Sequence, residues 1–136
     1  MTKTKQAIDF FVAKGWTKSQ ACGIVANLEK ESNLNPAAVG DGGKAYGLAQ
    51  WHPDRQAQFK TALGKAIKGS TFLEQLTFVN WELHNNEKGA GGKLKLCSTA
   101  KDSGSCVSRY YERPADTAGE CTKRGNQAHT LFATIT

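Results

Sequence analysis

Two helix-start signals, far apart along the chain, constrain its fold more than any other feature of the sequence. Thr17 with Gln20, and Thr71 with Glu74, place a hydroxyl three residues before a side chain that can return the hydrogen bond, the pattern of a capping box. Apolar residues follow each signal at helical spacing: Ala21, Ile24, Val25 and Leu28, then Phe72, Leu76, Val79 and Leu83. Because the alternation typical of strands is nearly absent, we predict a mainly α fold.

The remaining elements are predicted from the same periodicity and from turn residues. The stretch MTKTKQAIDFFVAKGW is predicted to form a helix that stops at Gly15, and the helix after Thr17 runs to about Ser32. Further helices are predicted over 54–67, 71–86, 92–99, 104–112 and 123–133. The stretch NNEKGAGGK, residues 85–93, is predicted to be a flexible break, and the loop over 38–51 is the one place where a small hairpin fits.

Length and charge limit the domain count and the classes of partner. At 136 residues the chain can build one hydrophobic core, so we predict a single domain over residues 1–136. Eighteen Lys and Arg against twelve Asp and Glu give a net charge of +6, which favours anionic partners: wall polymers, nucleic acid or membrane headgroups. No apolar run approaches the roughly 18 residues of a membrane span, and we expect no signal peptide, because the N-terminus lacks an apolar h-region.

Four cysteines permit three disulfide pairings. Cys97 and Cys106 bracket the polar stretch STAKDSGS, which we expect to be a loop closed by a disulfide, and Cys22 and Cys121 would then pair by elimination. The alternative is that the cysteines are reduced and act as small buried apolar residues, which is as plausible for Cys22 because it lies inside a predicted helix. Disulfides would fit an oxidising destination.

Two carboxylates end the second helix. Glu31 falls at one border of the apolar stripe and Glu29 at the other. A carboxylate beside an apolar stripe is desolvated, which favours its protonated form, and a general acid working near neutral pH needs that form. The alternative is that both are solvated residues at a helix end. The helix macrodipole disfavours negative charge there, so a compensating group should be close by.

A motif follows directly and carries a family resemblance. Glu31-Ser32 at the helix end, with GDGGKAYGLAQW over residues 40–51, resembles the signature of goose-type lysozymes and soluble lytic transglycosylases. The longer run over residues 20–55 resembles bacteriophage tail lysozymes and related wall-degrading domains more closely still. The resemblance implies a lysozyme-like α+β fold, with helices around a small β-hairpin and a glycine-rich active-site loop. It also implies a peptidoglycan substrate and no cofactor.

The resemblance assigns two carboxylates to catalysis. Glu31 matches the general acid, which protonates the glycosidic oxygen because a sugar alkoxide is a poor leaving group. Asp41 matches an aspartate of goose-type lysozymes that positions or deprotonates the attacking water, and in an inverting enzyme the two carboxyls stand roughly 6.5–9.5 Å apart. These lysozymes have a second aspartate where this chain has His52, although Asp54 lies close enough in sequence to substitute.

Substrate-binding roles are predicted for Tyr46, Gln50, Trp51 and His52. Tyr46 and Trp51 offer faces on which sugar rings could stack, or they are core aromatics; Gln50 would bind substrate or brace Glu31. The predicted activity is a muramidase that hydrolyses the β-1,4 bond between N-acetylmuramic acid and N-acetylglucosamine. The alternative is a lytic transglycosylase, which needs no second carboxylate and gives 1,6-anhydro products. The presence of Asp41 favours the hydrolase.

A non-catalytic binding module is the competing class of function. Basic residues are enriched in the C-terminal part, where they could bind nucleic acid or hold an enzyme against the wall: Lys93, Lys95, Lys101, Arg109, Lys123 and Arg124. Catalysis requires the Glu31 carboxylate, whereas a nucleic-acid module would gain from its removal. The histidines and cysteines have no metal-ligand spacing, so no metal site is predicted.

The predicted partner is therefore bacterial peptidoglycan, not nucleic acid. An inhibitor or immunity protein is a further candidate partner, and we expect a monomer. Without a signal peptide, the chain would be made in the cytoplasm. It would then act in the periplasm or at the cell wall, carried by a phage or delivered by a secretion system.

Overall fold

Helices dominate the computed structural model, which describes residues 2–135. In chain order they are α1 (Lys3–Ala13), α2 (Lys18–Ser32), α3 (Pro53–Leu63), α4 (Phe72–His84), α5 (Lys88–Lys95), α6 (Ala100–Cys106) and α7 (Thr117–Thr134). A π-helical segment, Val107–Glu112, continues α6. Between α2 and α3 lie β1 (Val39–Gly40) and β2 (Ala45–Tyr46), joined by a single 3-10 turn, Asp41–Gly43. The mainly α fold with a small hairpin is confirmed.

Both capping boxes form as predicted. The Thr17 hydroxyl accepts a hydrogen bond from the Gln20 backbone N–H at 3.1 Å, and the Gln20 side chain accepts one from the Thr17 N–H at 3.0 Å. Thr71 and Glu74 make the same two bonds at 3.1 and 2.8 Å. The starts of α2 and α4 are thus fixed by local sequence, because each box satisfies backbone donors that the helix itself leaves free.

Helix α2 is the central element of the core. It packs against α1, α6 and α7, and its predicted stripe of Ala21, Ile24, Val25 and Leu28 is fully buried. The Asn27 side chain donates hydrogen bonds to the carbonyl oxygens of Gly23 on its own helix and of Gly104 on α6, at 2.8 and 3.0 Å. Contacts with three other helices therefore fix the position of α2, whose last turn carries Glu31.

The predicted break over 85–93 is wrong, because α5 occupies residues 88–95. Gly91 is buried, and a Cβ at that position would overlap the Leu83 carbonyl group of α4. Glycine is needed here for close helix packing rather than for flexibility. The helix predicted over 92–99 accordingly begins earlier and ends at Lys95.

Other predicted helix boundaries also shift. The helix predicted over 54–67 ends at Leu63, because Gly64 takes the left-handed conformation at φ +74° and terminates it. The helix predicted over 104–112 is the end of α6 plus the π-helical segment, and α7 extends beyond the predicted 123–133 at both ends. Of the predicted domain 1–136, Met1 and Thr136 lie outside the described residues.

The disulfide prediction is wrong. Cys22, Cys97, Cys106 and Cys121 are all free thiols in the structure. The stretch between Cys97 and Cys106 is not a loop that needs closing, because α6 occupies most of it. Burial raises the pKa of Cys22 to about 11 and that of Cys106 to about 12, so both are neutral thiols under ordinary conditions. The alternative interpretation, small buried apolar residues, fits them.

Within residues 2–135, no helix combines the length and the apolar character needed to cross a bilayer. The hydrophobic core is one cluster, which receives buried side chains from α1 through α7.

Candidate active site

The end of α2 is tied directly to the glycine-rich loop. The Ser32 hydroxyl donates a hydrogen bond to the Leu48 carbonyl oxygen at 2.7 Å, and the Leu48 N–H donates to the side-chain oxygen of buried Gln75 on α4 at 2.9 Å. Gly47 precedes Leu48 at φ +84°, where a Cβ would lie 2.7 Å from that same Gln75 oxygen. Ser32 and Leu48 of the two motifs therefore hold the glycine-rich loop against the end of α2, next to Glu31.

Gln50 braces this loop. Its side-chain N–H group donates to the carbonyl oxygens of Ala38 and Gly47, at 3.1 and 2.9 Å. Gln50 thus braces the backbone of the loop, whereas bracing of Glu31 was one of its two predicted roles. Gln50 still lines the cleft beside the loop, so its predicted contact with substrate stays a prediction.

A cleft of about 630 Å³ lies between the end of α2, the glycine-rich loop, the start of α3 and the residues around the end of the π-helical segment. It brings together four of the predicted site residues: Glu31, Asp41, Gln50 and His52. It also contains side chains that the sequence did not single out as site residues: Arg55, Glu112, Arg113, Pro114 and Ala115. Asp54, considered above as a substitute carboxylate, lines it too.

The group that compensates Glu31 at the helix end is Arg124 of α7. Its guanidinium lies 2.8 Å from the Glu31 carboxylate, and the Arg124 side chain is only 5% exposed, against 19% for Glu31. Arg124 also contacts Glu120 at 3.0 Å and donates to the Asn27 side-chain oxygen at 3.1 Å. Burial opposes the charge, but Glu31 and Glu120 outweigh it and raise the pKa of Arg124 above its usual value. Arg124 is therefore a fixed cation of the site and not part of a basic surface.

Asp41 and His52 face each other at the open side of the cleft. His52 Nε2 lies 3.2 Å from an Asp41 carboxylate oxygen, and the side chains are 51% and 63% exposed. Asp41 itself has φ +50°, a conformation that aspartate tolerates better than most residues. Water has free access to this pair, unlike the Glu31–Arg124 pair.

The prediction that Trp51 stacks on sugar is wrong. Its ring is fully buried, packs edge-on against Phe78 at a centroid distance of 5.2 Å, and donates its N–H to Glu82 at 2.8 Å. Tyr46 is half-buried and packs against the core. It is not among the residues that line the cleft. Trp51 is a core aromatic, which was the alternative interpretation.

A buried polar cluster lies behind the cleft. Glu82 of α4, 1% exposed, receives hydrogen bonds from Trp51, from the Tyr111 hydroxyl at 2.5 Å and from two nitrogens of Arg55 at 2.8 and 2.9 Å. Although burial opposes it, the interactions with Tyr111 and Glu82 raise the pKa of Arg55 above its usual value. The sequence gives no signal for this cluster, because its members lie on different elements.

Glu112, the last residue of the π-helical segment, is another of the cleft side chains that the sequence did not single out. Its Oε2 atom is buried and has no hydrogen-bond partner among residues 2–135. Burial, reinforced by the negative charge of Glu31, raises the pKa of Glu112 well above its ordinary value. Two carboxyl groups besides those of Asp41 and Asp54, Glu31 and Glu112, thus line the cleft. Within the described residues, no three His, Cys, Asp or Glu side chains are grouped as a metal site requires.

The profile of the phage tail lysozyme family matches residues 2–135. The chain belongs to this family. The match extends over nearly the whole chain, well beyond the motif at residues 20–55, and so confirms the resemblance drawn from that motif.

The chain is also similar to Morphogenesis protein 1 of Bacillus phage B103. It is 30% identical over an alignment of 149 positions, which covers the whole of this chain and 40% of the relative. The chain thus spans less than half the length of this relative, and the activity of the relative as a whole does not transfer directly.

Proposed function

We propose that this chain is a peptidoglycan-cleaving muramidase that hydrolyses the β-1,4 bond between N-acetylmuramic acid and N-acetylglucosamine. The observation that carries the proposal is the position of Glu31: it lies in the cleft, largely shielded from water, at the end of α2 and beside the glycine-rich loop. In this role Glu31 protonates the glycosidic oxygen as the bond breaks. Arg124 then stabilises the carboxylate that remains, because its guanidinium is already in contact with it.

Asp41 is proposed to position or deprotonate the water that attacks the sugar. Its exposed carboxylate lines the same cleft as Glu31, and His52 beside it holds its orientation. A water between Asp41 and the sugar would attack the face opposite the leaving group, which is the inverting course. His52 occupies the place of the second aspartate of goose-type lysozymes, so one carboxylate with a histidine partner would replace two carboxylates.

The two alternatives make different demands. A lytic transglycosylase uses the same acid but leaves Asp41 without a role. A binding module would need a continuous basic surface, and one of the residues considered for that surface, Arg124, is buried against Glu31. The hydrolase gives a role to both Glu31 and Asp41, which line the cleft, whereas each alternative leaves at least one of them without a role.

The test is digestion of purified peptidoglycan by the wild type and by Glu31→Gln, with soluble products resolved by mass spectrometry. We expect reducing-end muropeptides from the wild type and a rate about 10²–10⁴-fold lower from Glu31→Gln, the usual contribution of a general acid. Glu29→Gln is the matched control: the same change on the same helix, at a side chain that binds Thr4 and Gln127 outside the cleft.

The products distinguish the alternatives. Anhydro-muropeptides, lighter by one water, would mean a transglycosylase, and Asp41→Asn would then leave the rate nearly unchanged. Under the hydrolase proposal Asp41→Asn lowers the rate strongly. If walls from several species yield no soluble product, the catalytic proposal fails and a binding module becomes the better account.

A further inference from the structure

A second cavity, of about 440 Å³, lies at the opposite end of α2 from the cleft. Its walls come from the end of α1, the start of α2 and the last residues of α4 and α5: Lys14, Gly15, Trp16, Thr17, Gln20, His84 and Lys95. The two cavities have no lining residue in common. Gln20 in the second cavity and Glu31 in the cleft are separated by roughly 16 Å along the helix axis, because an α-helix rises 1.5 Å per residue.

Every titratable side chain that lines the second cavity is basic. Lys14, His84 and Lys95 line it, and no Asp or Glu does. Within residues 2–135, none of these three side chains forms an ion pair. The start of α2 adds the positive end of a helix dipole. The cavity therefore carries positive charge that no carboxylate of the described residues contacts.

Asn80 of α4 fixes the two aromatic rings of this cavity. Its side-chain oxygen accepts a hydrogen bond from Trp16 Nε1 at 2.9 Å, and its backbone carbonyl oxygen lies 2.8 Å from His84 Nδ1. A carbonyl oxygen only accepts, so Nδ1 carries the hydrogen and Nε2 remains for a ligand. The Trp16 ring centroid lies 5.4 Å from that of His84 and 6.0 Å from Lys95 Nζ. The imidazole and the ammonium are thus placed around one tryptophan.

Gln20 fixes the end of α5 against the start of α2. Its side chain is buried, and its oxygen closes the capping box at Thr17. Its side-chain nitrogen donates to the carbonyl oxygens of Leu94, Lys95 and Cys97, at 3.2, 3.3 and 3.1 Å. The backbone that carries Lys95 is therefore in place before any ligand binds, which lowers the entropic cost of binding.

The arrangement suits a phosphate group better than a carboxylate. Lys14, His84 and Lys95 come from the ends of three different helices. A tetrahedral phosphate presents oxygens in several directions, whereas a carboxylate presents two oxygens in one plane. Lysine binds phosphate as a point charge and does not need the planar match that favours arginine. Sites for small molecules measure about 300–1,000 Å³, so this cavity has room for the units on either side of the phosphate as well.

We propose that this cavity binds a phosphate group of an anionic cell-wall polymer and holds the chain on the wall while the cleft acts on the glycan. The role in wall attachment rests on the proposed function, whereas phosphate binding itself does not. A ligand at the far end of α2 leaves the cleft open, and the net charge of +6 favours a polyanionic surface. Nucleic acid fits less well, because Trp16 is only 4% exposed and offers no free face on which a base could stack.

The first test is an NMR titration of the ¹⁵N-labelled wild-type protein with inorganic phosphate at constant ionic strength. We expect a saturable shift of the Trp16 indole N–H signal, because this ring lies beside His84 and Lys95. The indole signal of Trp51, which is bound to Glu82 in the core, is the internal control and should not move. If chloride shifts the Trp16 signal equally, or phosphate gives no saturable shift, the cavity is not a phosphate site and the proposal is wrong.

The second test removes the two ammonium groups. Lys14→Gln combined with Lys95→Gln should weaken phosphate binding about tenfold, because each lysine contributes a charge-assisted contact. The matched control is Lys60→Gln combined with Lys68→Gln, which lowers the net charge by the same amount at exposed lysines that line neither cavity. Equal weakening in both double variants would show an effect of overall charge and would overturn the site.

The third test identifies the source of the phosphate. Retention on purified cell walls is measured in a Glu31→Gln background, so that the wall is not digested, before and after hydrofluoric acid has removed the phosphate polymers. We expect retention to fall when the polymers are removed and to fall likewise when Lys14 and Lys95 are replaced by glutamine. Retention that ignores the polymers would refute wall attachment through this cavity. Tighter binding of single-stranded DNA than of a glycerol-phosphate polymer at Trp16 would refute the choice of ligand.

The two proposals fail in distinguishable ways. If Glu31→Gln digests peptidoglycan as fast as the wild type, the proposed function is wrong, and the phosphate titration, which uses no wall, still decides the site. If digestion requires Glu31 but the Trp16 signal does not respond to phosphate, the proposed function stands and the second site alone is rejected.

Discussion

Behind the cleft, the Glu82 carboxylate of α4 accepts hydrogen bonds from side chains of three other elements. Trp51 from the loop, Arg55 from α3 and Tyr111 from the π-helical segment all donate to it. Arg55 also lines the cleft, so the cluster connects the core to the candidate site. Each donor is largely or fully buried. Removal of the shared acceptor would leave Trp51 and Tyr111 without this partner and the buried Arg55 charge without its carboxylate.

We therefore expect Glu82→Ala to destabilise the protein by about 3–5 kcal/mol, the usual cost of leaving a buried charge unpaired. Thermal or denaturant unfolding would measure it. Asp9→Ala is the control, because Asp9 pairs with Lys5 on the exposed face of α1 and such pairs contribute about 0–1 kcal/mol. A similar small loss for both variants would mean that the cluster is replaceable.

At the scale of elements, the packing of α5 on α4 depends on one glycine. Gly91 is buried against the Leu83 carbonyl of α4, whereas Gly92, next to it on the same helix, has open space around it. Helix α4 carries Glu82, and α5 also packs on the π-helical segment that carries Glu112. The contact of α5 therefore supports both the helix that carries Glu82 and the segment that carries Glu112.

The two glycines should respond in opposite directions to the same substitution. Gly91→Ala should lower the free energy of unfolding by about 1–3 kcal/mol, because the added methyl group overlaps backbone that must then move. Gly92→Ala should raise it by about 0.5–1 kcal/mol, because alanine loses less backbone freedom in a helix. Chemical denaturation of the two variants measures both changes, and equal effects would contradict the packing described for α5.

At the scale of the whole molecule, stability comes from one core and not from covalent cross-links. The core receives side chains from all seven helices of residues 2–135, and the four cysteines are free thiols. Cys22, Cys106 and Cys121 are buried, and Cys97 is partly exposed.

We expect the melting temperature to be the same with and without a thiol reductant. In the native state, a thiol-specific reagent should react with about one cysteine, Cys97, because Cys97 is partly exposed whereas the other three sulfur atoms are buried. All four should react after denaturation. A melting temperature that falls on reduction would show that a disulfide contributes to stability.

Local interactions made much of the fold predictable. The capping boxes at Thr17 and Thr71 involve residues only three apart, so sequence alone placed the starts of α2 and α4. The α5 error has the opposite cause: the glycines of residues 89–92 resemble a flexible break unless the contact between Gly91 and Leu83 is known. The sequence likewise left open whether Trp51 stacks on sugar or lies in the core, since the burial of an aromatic ring depends on what packs around it.

The sequence by itself determined the mainly α fold, the hairpin over the glycine-rich loop and the membership of Glu31, Asp41, Gln50 and His52 in one motif, because these depend on residues close together in the chain. Only the tertiary structure decided which charges surround Glu31. Arg124 and Glu112 are far from it in sequence. Arg124 contacts Glu31 and Glu112 lines the same cleft, because α7 and the π-helical segment pack against α2. Electrostatic interactions depend on distance in space and on burial, which no local pattern encodes.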